Sequence, residues 1–305
     1  MLLAALLVSF IVIAPAMAAM TLSGVIYKQD VAPGATVTFP MTLSSAASDP
    51  PADYEVTLLG FGNGPDGRYL GIDPVQDTGT YTARPFITLD KTAVQIVSGG
   101  KEVITATIQV PASGSGGLYA LITIHPKQAT TTGAGPSFTT AMNVPVMITL
   151  KDTQLTEAGT IKSIGVSDAV PGKPVEITTV LTNTGNHHFY GAFVNVTVTD
   201  PSGNMVATAS TNPSIFALIP GNDMSIKTSI TSLPAGTYTV KSDAKFRTTL
   251  LDTKTTSFTV VEPGAAAPTP TVSEAPTQVA TEALTQAVSE APTAPTTFVR
   301  QENLR

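Results

Sequence analysis

The chain has 305 residues, of which 12% are charged, with a formal net charge of -6 at pH 7 and no cysteine. Its 16 basic side chains form no stripe that could neutralise a row of phosphates, so nucleic acid is not expected as a partner. Without cysteine the protein has neither disulfides nor thiol chemistry. Its folded parts must therefore be held together by apolar cores.

The N-terminal segment, residues 1–19, is an apolar run that ends in Ala16-Met17-Ala18-Ala19. This pattern is typical of a secretory signal peptide, although no Lys or Arg precedes the apolar stretch. We therefore predict a secreted protein or one displayed at the extracellular cell surface. The alternative is that the segment remains as an N-terminal membrane anchor, and membrane contact is expected only in that case.

Residues 20–262 are patterned as β-strands. Apolar and β-branched residues alternate with polar ones over short stretches, and glycine and proline turns separate these stretches. The clearest examples are GATVTFPMTL (34–43), EVITATIQV (102–110), PVEITTVLT (174–182) and FVNVTVTD (193–200). Many short strands at this spacing predict an all-β fold of the Ig-like sandwich type.

The strand pattern occurs twice. A glycine two positions before a tyrosine opens a late strand in each copy, at Tyr119 and at Tyr238. Each tyrosine is predicted to cap a sandwich edge, with its ring on the core and its hydroxyl on a backbone group. We predict two tandem Ig-like β-sandwich domains, residues 20–152 and 153–262. The short polar segment LKDTQLTEAG (150–159) is the linker between them.

A change in composition follows the second predicted domain. Residues 263–305 are rich in Pro, Thr, Ala and Glu, and they contain an eight-residue repeat at 273–280, 281–288 and 289–296. Such a segment has too few apolar side chains to form a core, so we predict a disordered tail that acts as a spacer.

One segment of the first predicted domain, residues 60–86, departs from the strand pattern because it is long and rich in Gly, Asp and Pro. A loop of this length in a compact domain is often functional, so we predict that it carries the contact surface for a partner. A second, smaller loop is predicted at 127–137. The candidate contact residues are Asn63, Asp66, Arg68, Tyr69, Asp73, Asp77 and Tyr81.

The aspartates of this long loop are the natural candidates for a calcium site, because calcium prefers oxygen ligands. However, Asp66, Asp73 and Asp77 match no EF-hand or RTX spacing, and aspartate is a common turn residue. We therefore predict turn chemistry at these positions, with no metal and no cofactor.

Two of the three histidines, His187 and His188, are adjacent and lie between turn-forming residues. Neighbouring side chains on a strand point to opposite faces, which does not suit a shared metal ion. The third, His125, belongs to the other predicted domain. We predict a loop between two strands with solvent-facing imidazoles, no catalytic residue and no enzymatic activity.

A single usable glycosylation sequon is present at Asn195-Val196-Thr197. The alternation around it places Val194, Val196 and Val198 on one face of a strand. Asn195 is then on the opposite face, directed away from the core, as a glycan acceptor must be. Glycosylation at Asn195 is therefore a candidate modification.

Three features occur together: a signal-like N-terminus, a first sandwich that ends in VPASGSGGLYALITI, and a second with NTGN, VNVTVTDPSGNMVA and LPAGTYTV. In this order of phrases the sequence resembles the two-domain WxL-interacting protein family of cell surfaces. The resemblance implies Ig-like modules without a catalytic signature. It also implies a first domain associated with peptidoglycan and a second domain that binds a partner or host.

The sequence thus favours a non-enzymatic secreted or cell-surface binding protein that recognises a cell-surface protein or a cell-envelope polymer through sandwich loops or edges. A carbohydrate-binding accessory module is an alternative, with Tyr69 and Tyr81 as the stacking pair. An architectural spacer of a surface layer is a second alternative. A hydrolase that uses the loop aspartates is a third.

Overall fold

The computed structural model describes residues 20–127, 141–167 and 169–262. The predicted signal peptide, the predicted tail and nearly all of the predicted loop 127–137 lie outside these residues. The described chain is all-β with sandwich-like sheets, as predicted, and its single helical element is a 3₁₀ turn at Arg84–Phe86. Within the described residues, no helix has the length and the apolar character needed to cross a membrane.

The N-terminal half, residues 20–150, contains two sheets that face each other. One sheet has four strands and the other has six. In chain order the strands are β1 Thr21–Ser23, β2 Tyr27–Val31, β3 Thr36–Ser44, β4 Ala52–Asn63, β5 Tyr69–Ile72, β6 Ile87–Leu89, β7 Ala93–Ile96, β8 Lys101–Gln109, β9 Gly117–Pro126 and β10 Met142–Leu150.

The four-stranded sheet has the order β1-β3-β8-β6, and the six-stranded sheet has the order β2-β10-β9-β4-β5 with β7 also paired to β4. All these pairs are antiparallel except β2 with β10. Between the sheets, Leu43 and Ile104 of one sheet and Ile122 and Val146 of the other are fully buried in a common core. Because side chains alternate between the two faces of a strand, the apolar residues that alternate along β3 and β8 all point into this core.

The C-terminal half, residues 159–262, has a core of its own between a three-stranded and a four-stranded sheet. The orders are β11-β12-β15 and β14-β13-β16-β17, which is the arrangement of an Ig-like sandwich. The strands are β11 Gly159–Val166, β12 Val175–Asn183, β13 Ala192–Thr199, β14 Met205–Ser210, β15 Asp223–Ile230, β16 Gly236–Phe246 and β17 Thr249–Val260. The boundaries predicted for two tandem domains stay a prediction.

The two tyrosines of the repeated glycine-tyrosine phrase take different roles. Tyr238 packs on the core of the C-terminal half and its hydroxyl donates to the Pro234 carbonyl at 3.0 Å, as predicted. Tyr119 instead points out of the N-terminal core, and its hydroxyl contacts residues of the C-terminal half. In that copy a side chain at Gly117 would collide with the Tyr119 hydroxyl, which explains why glycine stands there.

We expect Tyr238→Phe to lower the free energy of unfolding by about 1 kcal/mol, because the hydrogen bond to Pro234 is lost while the ring stays packed. Tyr27→Phe is the matched control, since Tyr27 is equally buried and its hydroxyl has no hydrogen-bond partner among the described residues. Urea denaturation of the three proteins measures the difference. Equal losses in both variants would contradict the assigned role.

Candidate functional site

A third apolar cluster lies between the two halves. It contains Phe61, Tyr119, Leu121 and Met147 from the outer face of the six-stranded sheet, together with Ala217 and Ile219 of the C-terminal half. As a result, β9 is buried on both faces from Gly117 to Ile124, with alternate residues in the N-terminal core and in this cluster. We call the region the junction. It extends the contact between the halves well beyond the linker.

The histidine pair lies in this junction. The prediction of a loop is confirmed, because residues 184–191 connect β12 to β13. The prediction of solvent-facing imidazoles is wrong: His188 is 3% exposed, and the His187 side chain is 15% exposed. The N-terminal half covers the loop, a long-range contact that the local turn signals around the pair do not encode.

Hydrogen bonds hold both imidazoles. The Tyr119 hydroxyl accepts from the His188 backbone amide at 2.9 Å and bonds to His188 Nδ1 at 3.0 Å. Because that hydroxyl already accepts one bond, donation to Nδ1 fits a neutral His188 that carries its proton on Nε2. The Thr149 hydroxyl lies 3.1 Å from His187 Nε2, and His187 Nδ1 is buried without a partner among the described residues.

Burial sets the protonation of this pair. Burial, together with the smaller effects of His187 and Lys28, lowers the pKa of His188 to about 3. Burial also lowers the pKa of His187, opposed by the carboxylate of Glu157, whose Oε1 lies 3.9 Å from Nδ1. Both imidazoles are therefore neutral near pH 7, and they serve to hold the junction together.

The turn that carries the histidines is also bonded to the linker. Asn186 Oδ1 accepts from the Thr156 amide at 2.7 Å, and its Nδ2 donates to the Gln154 carbonyl at 2.9 Å. The Asn186 carbonyl accepts from the amide of Gly117 at 2.8 Å. One asparagine thus connects the linker, the C-terminal turn and the first residue of β9.

Asn63, a predicted contact residue, links the two halves through its side chain and its backbone amide. Its Nδ2 donates to the carbonyls of Ala217 at 2.8 Å and Gly67 at 2.9 Å, and its Oδ1 accepts from the Ile219 amide at 2.9 Å. Its own amide donates to Asn222 Oδ1 at 3.0 Å. That approach needs a glycine at position 62, where a side chain would collide with Asn222.

Two further predicted contact residues face the C-terminal half. The Tyr69 hydroxyl accepts from the Ala217 amide at 3.3 Å, and its ring packs edge-on against Phe216. The Tyr81 hydroxyl donates to the Gly185 carbonyl at 3.2 Å. These rings belong to the junction cluster. The segment 60–86, predicted as a long loop, includes the end of β4 and all of β5, and it contacts another part of its own chain through these side chains.

Other predicted residues form exposed turns. Asp66 Oδ1 accepts from the Arg68 amide at 3.1 Å, and the two side chains form an exposed ion pair at 3.2 Å. Asp73 Oδ1 accepts from the Val75 amide at 2.8 Å. This is the turn chemistry expected of aspartate. Over the described ranges, no three His, Asp or Glu side chains are grouped closely enough to hold a metal ion.

Asp77 differs from the other loop aspartates because its side chain is only 7% exposed. Its Oδ2 accepts a hydrogen bond from the Thr82 hydroxyl, and Arg84 Nη1 lies 3.4 Å from the same oxygen. The carboxylate lies directly over Gly60, where a side chain would collide with it. Asp77 lines a cleft of about 360 Å³, together with Phe61, Ile72, Gln76, residues 79–82, Tyr119 and residues 219–222.

A separate surface feature is the edge strand β14. Its ladder with β13 is antiparallel, and the Thr211 amide donates to the Val194 carbonyl. In this register the backbone groups of residues 207 and 209 face β13, while those of Thr208 and Ser210 face away. The register shifts at Val206, which has no partner on β13. Met205 is 67% exposed and Val206 is 41% exposed, so the strand lies open to solvent.

The sequon residue Asn195 lies on β13, on the face opposite the buried Val194, Val196 and Val198. Its Oδ1 accepts from the Ser210 hydroxyl at 2.7 Å, and the side chain is half-buried. Glycosylation at this position stays a prediction.

We expect Asn63→Ala to lower the free energy of unfolding by about 2–3 kcal/mol, because it leaves buried groups of Ala217 and Ile219 without partners. Asn204→Ala is the control, since Asn204 bonds to Asp200 in an exposed turn and its loss should cost well under 1 kcal/mol. Chemical denaturation measures both. An Asn63→Ala protein as stable as the control would contradict the junction geometry.

Stability should decrease in acid because of His188. The unfolded histidine takes up a proton below its ordinary pKa of 6.5, whereas the folded one does so only near 3. Between these values the unfolded state binds more protons, so the free energy of unfolding falls as pH falls. For one such group the slope approaches about 1.4 kcal/mol per pH unit.

Denaturation curves between pH 7 and 4 measure this slope. His188→Gln should show a shallower dependence than the wild type, and His125→Gln, which removes a histidine outside the junction, should keep the full dependence. An unchanged slope in His188→Gln would contradict the assignment.

No family model matches the chain, and no curated protein matches it. Similar solved structures include a chain of a chaperone–tip adhesin complex in CFA/I fimbriae biogenesis, with a TM-score of 0.39 and 10% identity over 80% of this chain and 99% of that one. The class 5 fimbriae chaperone CfaA has a TM-score of 0.36 with 10% identity, over 80% and 99% of the two chains. The E. coli chaperone DraB has a TM-score of 0.35 with 11% identity, over 80% and 98%. No family assignment follows from these similarities.

Proposed function

We propose that the chain is a non-enzymatic binding protein, secreted or displayed at the cell surface, that takes up an extended segment of a surface protein by strand addition at β14. The observation that supports the proposal most strongly is the open edge of β14. The outward amides and carbonyls of Thr208 and Ser210 are backbone groups whose natural complement is another β-strand.

The composition of β14 also favours this role. Exposed edge strands are commonly protected by charged residues, proline or β-bulges. The sequence MVATAS contains no charged residue and no proline, and the ladder is regular from residue 207 to residue 210, beyond the register shift at Val206. Its exposed Met205 and Val206 would gain apolar contacts with an added strand.

Neighbouring edges differ from β14 because they are occupied or charged. At the edge of β11, Asp252 accepts from the Ile161 amide at 2.6 Å, and Lys254 donates to the Lys162 carbonyl at 2.8 Å. The edge of β15 is covered by the N-terminal half, because the Ser225 amide donates to the Pro65 carbonyl at 2.8 Å.

The edge strand β2 carries the charged residues Lys28 and Asp30, which discourage pairing with a further strand. Of the edges at β2, β11, β14 and β15, β14 is therefore the best suited to a partner strand.

In this proposal the two Ig-like sandwiches are tandem domains whose relative orientation is set by the junction. The segment before residue 20 directs export, and residues 263–305 act as a spacer. The junction bonds of Asn63, Tyr119 and Asn186 support the first part, because they tie the linker and both sandwiches together. If the orientation of the two sandwiches is fixed, β14 of the second sandwich is held at a constant angle to the first.

The alternative of a carbohydrate module built on Tyr69 and Tyr81 is less favoured, because both rings are engaged in the junction cluster. An architectural spacer would use the same fixed orientation but would have no use for an open edge.

A photo-reactive amino acid placed in turn at Thr208 and at Ser210, in cells that produce the protein, tests the proposal. If a strand adds to β14, both positions should cross-link to one partner segment, at sites two residues apart, as neighbouring positions of a β-ladder require. Mass spectrometry of the cross-linked peptides reads this register.

Thr208→Pro should abolish these cross-links, because proline removes an outward amide without costing a bond to β13. Thr208→Val is the control, since it keeps the amide and the strand propensity, and it should retain them. Cross-links scattered over many partner sites, or an unchanged yield in a folded Thr208→Pro protein, would contradict strand addition.

A further inference from the structure

The cleft beside Asp77 has the properties of a small-molecule site. It measures about 360 Å³, within the range of about 300–1,000 Å³ typical of ligand sites, and it lies between two parts of the structure, a common place for such sites. Its lining combines apolar groups from Phe61 and Ile219 with polar groups from Gln76 and Asn222. We infer that this cleft binds a single ring of a neutral sugar, with Asp77 as the main hydrogen-bond acceptor.

The carboxylate of Asp77 is the observation that points to a ligand. The side chain is 93% buried, given its exposure of 7%, and Oδ2 takes both protein contacts, from Thr82 and Arg84. Oδ1 has no hydrogen-bond partner within the described residues. This oxygen is not among the buried polar atoms that lack a partner, so it is open at the cleft and can accept a hydrogen bond from a ligand.

The charge balance selects a neutral donor. Arg84 lies 3.4 Å from Asp77 Oδ2, so the pair has no net charge. A cationic ligand would meet the guanidinium as well as the carboxylate, and an anionic ligand would be repelled by the free oxygen. A hydroxyl group donates to Oδ1 without adding charge.

The rest of the cleft suits a ring with several hydroxyls. One face of a sugar ring is made of C–H groups, which can pack on the partly exposed aliphatic side chain of Ile72 in the cleft lining. Asn222 Nδ2 donates one hydrogen to the Pro220 carbonyl at 3.2 Å, and its second hydrogen has no partner among the described residues. Asp77 and Asn222 thus offer an acceptor and a donor for neighbouring hydroxyls.

The chain also provides a clean way to block the cleft. Gly79 lines it, and an added Cβ at this position would meet no atom within 4 Å. Gly79→Trp should therefore fill the cleft without disturbing the fold. Val75→Trp is the matched control, because Val75 is 84% exposed in the same loop and does not line the cleft.

Saturation-transfer NMR with a panel of neutral hexoses and N-acetylhexosamines, followed by calorimetric titration of the sugars that respond, tests the inference. At least one sugar should bind the wild type, and its titration curve should reach saturation. Gly79→Trp should weaken its binding at least tenfold, Asp77→Asn at least fivefold, and Val75→Trp less than twofold. Thr208→Pro should leave sugar binding unchanged, which separates this site from the proposed edge at β14.

Two further arms complete the experiment. Oligosaccharides that end in the responding sugar distinguish a glycan terminus from a free monosaccharide as the ligand, because a terminus should bind at least as well as the free ring. Alkylammonium ions serve as cationic probes. Saturable binding of these ions in place of the sugars, no sugar response in the wild type, or equal binding by Gly79→Trp would overturn the inference.

Discussion

The structure depends on the burial of the outer face of the six-stranded sheet. In an isolated sandwich this face would be solvated, and β9 would alternate between buried and exposed positions. Instead Tyr119, Leu121 and Met147 are covered by the turns that follow β12 and β14. Because this surface is apolar and the backbone groups at its rim are bonded by Asn63 and Asn186, the two halves share a dry interface in addition to a linker.

Much of the fold follows from the sequence because a sandwich core is encoded locally. The alternation in FVNVTVTD gives the inward Val194, Val196 and Val198 of β13 directly, and the glycine-tyrosine phrase gives the corner at Tyr238. The junction is harder to predict, because it depends on contacts between residues more than a hundred positions apart, such as those of Asn63 with Ala217 and Ile219.

Two features of the sequence nevertheless correspond to the junction seen in the structure. The runs GLYALITI in β9 and VPVMITL in β10 are continuously apolar, which indicates burial on both faces of a strand that otherwise belongs to an alternating sandwich. The glycines at positions 60 and 62 occupy the same face of β4, and each allows a polar side chain, Asp77 or Asn222, to lie against the backbone. The long loop looked like a free contact surface because its polar composition does not reveal which side chains turn inward.

The two candidate sites use this architecture in different ways. The cleft exists because residues 79–82 and 219–222 come from different halves and meet at the junction. β14 is a local property of the C-terminal sheet, but its direction in space is set by the junction. The central claim is therefore that the two halves form one body with a single orientation.

Pulsed electron paramagnetic resonance on spin labels at Gln109→Cys and Ser229→Cys tests this claim most directly. Both positions are exposed, and the chain contains no native cysteine to interfere. The account predicts one narrow distance distribution between the labels at neutral pH. A broad distribution, or one with several maxima, would show that the halves move independently and would contradict it.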